Sequence, residues 1–203
     1  MRNLITLAVV SIAVLLVVTA SASATTMAQW ATSPITIGDK TFTLISSDWA
    51  PDKVVQVATY GNVYELSFVG GSDIILSNVT KTIEYNVTII DDSLTGEWEP
   101  GVYDFDQVQG TSDLDVQPPS IFTWNGTFDD SSDFTDPFVT FGVNDGLWGP
   151  LPVPGMARDF WVREEVVVTG TVILNSLTRY FYQAVHPVPT QSTTWGNIKA
   201  LYE

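Results

Sequence analysis

The sequence predicts an all-β fold, an antiparallel β-sandwich or jelly-roll of about ten strands that ends in a short C-terminal amphipathic helix. Apolar residues recur with a period near two, in short runs. Gly, Asp, Asn, Ser and Pro separate those runs, as expected where strands alternate with turns. Helical periodicity beyond the apolar N-terminal stretch is confined to the tail.

The chain opens with Met1 and the cationic Arg2, then an apolar stretch from Leu4 to Val18 relieved by Thr6 and Ser11, then small residues from Thr19 to Thr26. Charged, apolar, small is the order of a secretory signal, and Ala22-Ser23-Ala24 supplies the small-x-small pattern that a signal peptidase accepts. Cleavage is expected after Ala24, with Ala28 the lesser site. Residues 1–24 are then the leader, 25–184 the folded domain and 185–203 a spacer and tail. The competing reading is a retained anchor, because the run approaches the roughly 17 residues that cross a bilayer. Every later apolar run is cut by polar residues, so no membrane span is expected after leader removal. The expected location is secreted or cell-surface.

The clearest strand signal is Thr82 to Ile90. Ile83, Tyr85, Val87 and Ile89 fall on one face, and Thr82, Glu84, Asn86 and Thr88 on the other, which makes one face buried and one wet. The same reading applies to Thr41–Ile45, Val54–Ala58, Val63–Phe68, Asp73–Val79, Val102–Val108, Ile121–Trp124, Phe138–Phe141, Val162–Thr169 and Thr171–Leu174. Gly70-Gly71, Asp91-Asp92 and Asn125-Gly126 read as turns. The last of these reads as a two-residue hairpin, because both residues tolerate positive φ. Leu147 to Pro154 carries three prolines, each of which removes a ladder donor, so it reads as an extended loop on the surface or at a sheet edge. His186-Pro187-Val188-Pro189 makes a stiff spacer. Beyond it, Trp195, Ile198 and Tyr202 share one helical face, with Thr193 or Thr194 as N-cap.

Composition excludes several function classes. A formal net charge of −15, with no acid in the leader, rules out simple attraction to nucleic acid or anionic lipid, both of which need basic patches. It favours solubility, divalent cations or basic partners. The chain has no cysteine, so it has no disulfide, thiolate chemistry or cysteine-bound metal. The single histidine, His186, lies beside a proline in the spacer. That argues against a Ser-His-Asp triad and a zinc site alike. With 203 residues and 45% hydrophobic content, one folded domain with a sizeable core is expected.

Three kinds of side chain remain as candidate sites. Glu97 and Glu99 flank Trp98, and on a strand they would hold a sugar between two carboxylates, as in a glycan-active enzyme; the alternative is a solvated turn. Glu164 and Glu165 are adjacent and so face opposite ways on a strand. Asp129, Asp130 and Asp133, Asp104 with Asp106, and Asp113 with Asp115 offer oxygens for calcium, although none matches the EF-hand pattern and solvated turns are the favoured reading. No cofactor is required. Seven tryptophans raise carbohydrate binding, with Trp98, Trp124 and Trp148 near predicted turns where a ring stacks on a sugar. Tryptophan also fills β-sandwich cores. Asn78, Asn86 and Asn125 each begin an N-glycosylation pattern.

The leader, the Thr/Val/Asp/Gly-rich strands and the Val185-His186-Pro187-Val188-Pro189 spacer before a short tail together resemble exported β-rich bacterial proteins with C-terminal sorting tags, such as the PEP-CTERM group. The resemblance implies export and a tail, Ser192 to Tyr202, that docks or sorts through Trp195, Ile198 and Tyr202; the alternative is a last amphipathic turn packed against the sandwich. The chain has no Pro-Glu-Pro motif, and no apolar helix with terminal arginines follows the spacer, so exosortase-type anchoring is not implied. The leading functional expectation is a non-enzymatic exported β-sandwich that binds an extracellular glycan or surface protein, or builds an extracellular layer. A carbohydrate-binding module and a glycan-active enzyme are the alternatives.

Overall fold

The computed structural model describes residues 21–60, 62–89, 105–144, 146–157 and 159–183. In chain order these form β1 (Ser21–Thr26), α1 (Met27–Trp30), β2 (Ile35–Ile37), β3 (Lys40–Ser47), β4 (Val54–Tyr60), β5 (Val63–Ile89), β6 (Phe105–Val116), β7 (Ile121–Asp129), β8 (Val139–Val143), β9 (Leu147–Ala157) and β10 (Asp159–Gln183). The fold is nearly all β, and the ten strands form one antiparallel, partly barrel-like sheet. The expected tail helix and the expected leader ahead of Ser21 lie outside the described residues.

β5 and β10 organise the rest. They are 27 and 25 residues long, far longer than the five or six residues usual for a strand, and they pair with each other along most of their length. Each is bent in the middle, so the sheet folds back and its inner faces meet. In the first limb the order is β1, β4, the start of β5, the end of β10, β6, β9. In the second limb, β2 and β3 flank the end of β5, and β7 and β8 flank the start of β10.

The bend has a local cause. The pairing of Val168 with Val79 is followed by that of Thr171 with Ser77, so two residues of β10 face the single Asn78. Gly170 (φ 83°) and Asn78 (φ 46°) both take left-handed backbone conformations, which favour glycine and asparagine. The Gly170 N–H donates to Asn78 Oδ1 at 2.9 Å. A second irregularity sets residues 70–73 opposite Asn175 alone. Such bulges kink and twist a strand. Gly70-Gly71, read as a turn, is therefore an irregularity within a strand that continues past it.

The inner faces carry the alternation seen in the sequence. Tyr64, Leu66 and Phe68 of the first limb and Ile83, Tyr85, Val87 and Ile89 of the second are all buried. Phe42 meets Phe181 at 5.7 Å between ring centroids, and Phe105 meets Phe160 at 5.1 Å, each pair joining the two limbs. At one end, Thr26 and Gln29 form a capping box for α1, and Trp30 is buried with its indole N–H donating to the Phe42 carbonyl at 2.8 Å.

Two further sequence expectations are corrected. Asn125-Gly126 is not a hairpin turn; it sits in the middle of β7, paired with Gly142 and Phe141 of β8. Glycine is needed there for space, since a Cβ on Gly126 would lie 1.9 Å from the Phe141 ring. Gly110 on β6 plays the same part for Trp148, whose indole nitrogen would be 2.3 Å from an added Cβ. The two covering rings stack on each other at 3.8 Å and 11°, tying β8 to β9. The second correction is that Leu147–Pro154 belongs to strand β9 rather than to a loop. Its edge position is as expected: among the described residues β9 ladders only with β6.

Replacing Gly126 with Ala is expected to push Phe141 off Trp148 and cost about 1–3 kcal/mol, the usual penalty of overpacking. Urea unfolding would read this as a lower midpoint at unchanged slope. Gly142→Ala, whose Cβ would meet only the tip of Asn125 at 2.9 Å, should cost less.

Candidate functional site

The best-defined polar constellation lies inside the core. Glu164 takes an inward position between Val162 and Val166 on β10, in the second limb, whereas Arg179 points inward from the same strand in the first limb. Each side chain is 1% exposed. Arg179 Nε donates to Glu164 Oε1 at 2.6 Å, and its Nη2 bonds Oε2. The Tyr85 hydroxyl donates to Oε1 and the Trp124 indole N–H to Oε2, both at 2.8 Å. Arg179 Nη1 donates to the Leu177 carbonyl, and the guanidinium lies 4.4 Å from the Phe68 ring and 4.6 Å from that of Trp124. Both carboxylate oxygens are engaged and sealed from water, so the group is built to hold structure rather than to move protons. Burial first, and then the Glu164 charge, push the Tyr85 hydroxyl well above the ordinary tyrosine value, with Arg179 opposing.

A second cluster sits where β2 turns into β3. Lys40 is fully buried, 2.6 Å from Asp39 and 3.2 Å from Gln183 Oε1, with its ammonium over the Tyr64 ring at 4.6 Å. The Tyr64 hydroxyl donates to Asp39 at 2.6 Å. Burial, then the Asp39 carboxylate, raise Tyr64 far above its usual range.

The sequence-predicted site residues scatter. Trp124 and Trp148 are buried core residues, 0% and 5% exposed, so neither presents a face to a sugar. Trp98 with Glu97 and Glu99, Asp104, and the tail residues Trp195, Ile198 and Tyr202 lie outside the described residues. Asp129 is buried under its own loop and accepts the Ser131 N–H at 2.9 Å and the Asp136 N–H at 3.1 Å. Burial disfavours its charge, but the Ser131 backbone and hydroxyl and the Asp136 N–H outweigh it and hold the carboxyl below its ordinary value. The Ser131 hydroxyl is 3.0 Å from Asp129 and 2.6 Å from Asp133, and Asp130 is exposed. Loop donors thus already engage Asp129 and Asp133. Among the described residues no three His, Cys, Asp or Glu side chains gather where a metal could be held.

The outer faces of the two limbs carry chemistry that the sequence did not single out. On the second limb Trp161 is half-buried and lies in register between Asn86 of β5 and Asp129 of β7. Beside it Arg163 pairs with Glu84 at 2.6 Å and lies 4.1 Å from the Phe134 ring. Alternation at Phe160–Val162 was the available signal, since it turns Trp161 outward. Two clefts flank α1: one of about 210 Å³ lined by both apolar and polar groups, among them Leu44, Trp49, Ser46 and Ser47, and an open one of about 460 Å³ lined by Ser23, Thr25, Gln29, Thr32 and Thr36. No family model and no curated protein matches this chain.

Arg179→Met is expected to destabilise the fold by about 3–5 kcal/mol by stranding a buried charge. Glu164→Leu combined with Arg179→Met should recover only part of that loss, because Tyr85 and Trp124 lose their acceptor. A double-mutant cycle by denaturant titration measures both.

Tyr64 and Tyr85 have folded values raised above the ordinary 10.0. Above that pH the unfolded chain gives up these protons and the folded chain keeps them. Stability therefore falls as pH rises past about 10. A phenolate absorbance titration should show these two rings ionising only with unfolding, and Tyr64→Phe should flatten the alkaline limb.

Proposed function

We propose that this protein is an exported, non-enzymatic β-sandwich that works through the outer faces of its folded sheet, by binding at or building up an extracellular surface. The observation that carries the proposal is where the chemistry lies. The carboxylate with the most defined surroundings, Glu164, is saturated inside the core, whereas aromatic, amide and hydroxyl side chains are laid out in register on rigid outer strands. Export is supported by the charged, apolar, small order of the first residues.

The Ala24–Thr25 bond expected to be cut lies inside β1, whose Ser21–Ala24 pair with Thr59–Gln56 of β4. A cut there leaves Thr25 and Thr26 on that ladder.

Expression of the full chain in an exporting bacterial host tests the proposal. Mass spectrometry of the extracellular or surface fraction should find a chain beginning at Thr25, with no hydrolysis of glycan substrates. Intact Met1 chains held in the cytoplasm, or robust hydrolytic turnover, would overturn it.

A further inference from the structure

The outer face of the first limb differs in composition from the rest of the molecule. Strand register places three rows of side chains across it. One runs Tyr60, Val63, Tyr182, Gln107; the next Ala58, Glu65, Tyr180, Gln109; the third Gln56, Ser67, Thr178, Thr111. Tyr60 is 47% exposed, and Tyr180 and Tyr182 are half-buried. Tyr180 and Tyr182 stand two residues apart on β10, about 6.8 Å, and Tyr60 stands two strands from Tyr182, about 9.5 Å. Sugar rings one and two residues apart along a chain are separated by distances of this order.

We propose that this face is a platform for an uncharged polysaccharide, with Tyr60, Tyr180 and Tyr182 as its stacking rings and Gln107, Gln109 and Thr111 as partners for sugar hydroxyls. The proposal rests on the reading that the outer faces carry the function.

Three properties of the face point to this ligand class. Tyrosine joins an apolar ring to a polar tip, which suits a sugar's apolar face and hydroxyl rim. Within these rows Glu65 is the one charged side chain, on a chain of net charge −15, so a polyanion is repelled and an uncharged chain is not. The groups are also held in place before any ligand arrives: the Tyr182 hydroxyl donates to Gln109 Oε1 at 2.9 Å, Ser67 and Thr178 bond at 3.0 Å, and Ser67 donates to Glu65 at 2.7 Å. Burial and the neighbouring Glu65, Tyr182 and Tyr60 raise the Tyr180 hydroxyl above its ordinary value, so these groups sit close enough to feel one another.

The test is affinity gel electrophoresis of the exported full chain through β-glucan, mannan and dextran, with polygalacturonate as the anionic counterpart. At least one uncharged polymer should retard the protein and polygalacturonate should not. Tyr60→Ala, Tyr180→Ala and Tyr182→Ala should each weaken binding by roughly 3- to 10-fold. The triple variant should abolish it at unchanged melting temperature, and Ile121→Ser on the other limb should leave it intact. No retardation by any uncharged polymer, undiminished binding by the triple variant, preference for polygalacturonate, or self-association that the triple variant removes would overturn the proposal. If the chain is still exported and still coats surfaces in that case, the broader function stands and only the ligand class falls.

Discussion

The contact between Glu164 and Arg179 joins two limbs of one strand. These residues are fifteen apart on β10, and β10 reaches both limbs only because it bends at Gly170 and again near Asn175. A buried ion pair costs a great deal to desolvate, and a hydrophobic pair of the same volume is often as stable. Here it brings geometric definition, since the Arg179 fork, the Tyr85 hydroxyl and the Trp124 indole each meet one carboxylate at fixed angles. Slipping β10 by one residue would turn Glu164 to solvent and break every one of those bonds. The pair therefore ties the register of β10 against β5 and β7 to the depth of the fold.

Much of this was legible in the sequence. The alternation at Thr82–Ile90 and Val162–Thr169 placed both long strands, because a period of two is a direct consequence of the pleat. The runs Val63–Phe68, Asp73–Val79 and Thr82–Ile90 read as three strands, whereas residues 63–89 form the single strand β5. Local pattern cannot distinguish a bulge from a turn when the decision lies in the partner strand, and here Gly170 and Asn175 of β10 decide it. Asn125-Gly126 failed for a related reason. The pair suits a tight turn, but tertiary contact with Phe141 uses the glycine for clearance. The short β1, β2 and α1 carried too few residues to show a period.

The polar core was legible in part. Glu164 occupies the parity shared by Phe160, Val162 and Val166, so an acid on the apolar side of a strand was visible. Its partner Arg179 was hidden by the change of parity that the irregularity near Asn175 introduces. For Trp124 and Trp148, nearness to a turn-like dipeptide or a proline run is no measure of exposure, since both are buried. Once Asn125-Gly126 is strand interior, Trp124 has to be core, and the outward-facing aromatics are instead those of opposite parity, Trp161 and Tyr180 among them.

The prolines of β9 bear on how the molecule behaves when crowded. A strand at a sheet margin normally exposes a row of amide hydrogens that a neighbouring chain can zip onto, which is how cross-β stacking starts. Pro150, Pro152 and Pro154 interrupt that row, and β8, at the margin of the other limb, is only 5 residues long. The β9 edge is thus hindered from adding a strand by backbone chemistry, which salt cannot screen as it screens charge. Such a protein can be packed densely at high ionic strength without this margin seeding fibrils.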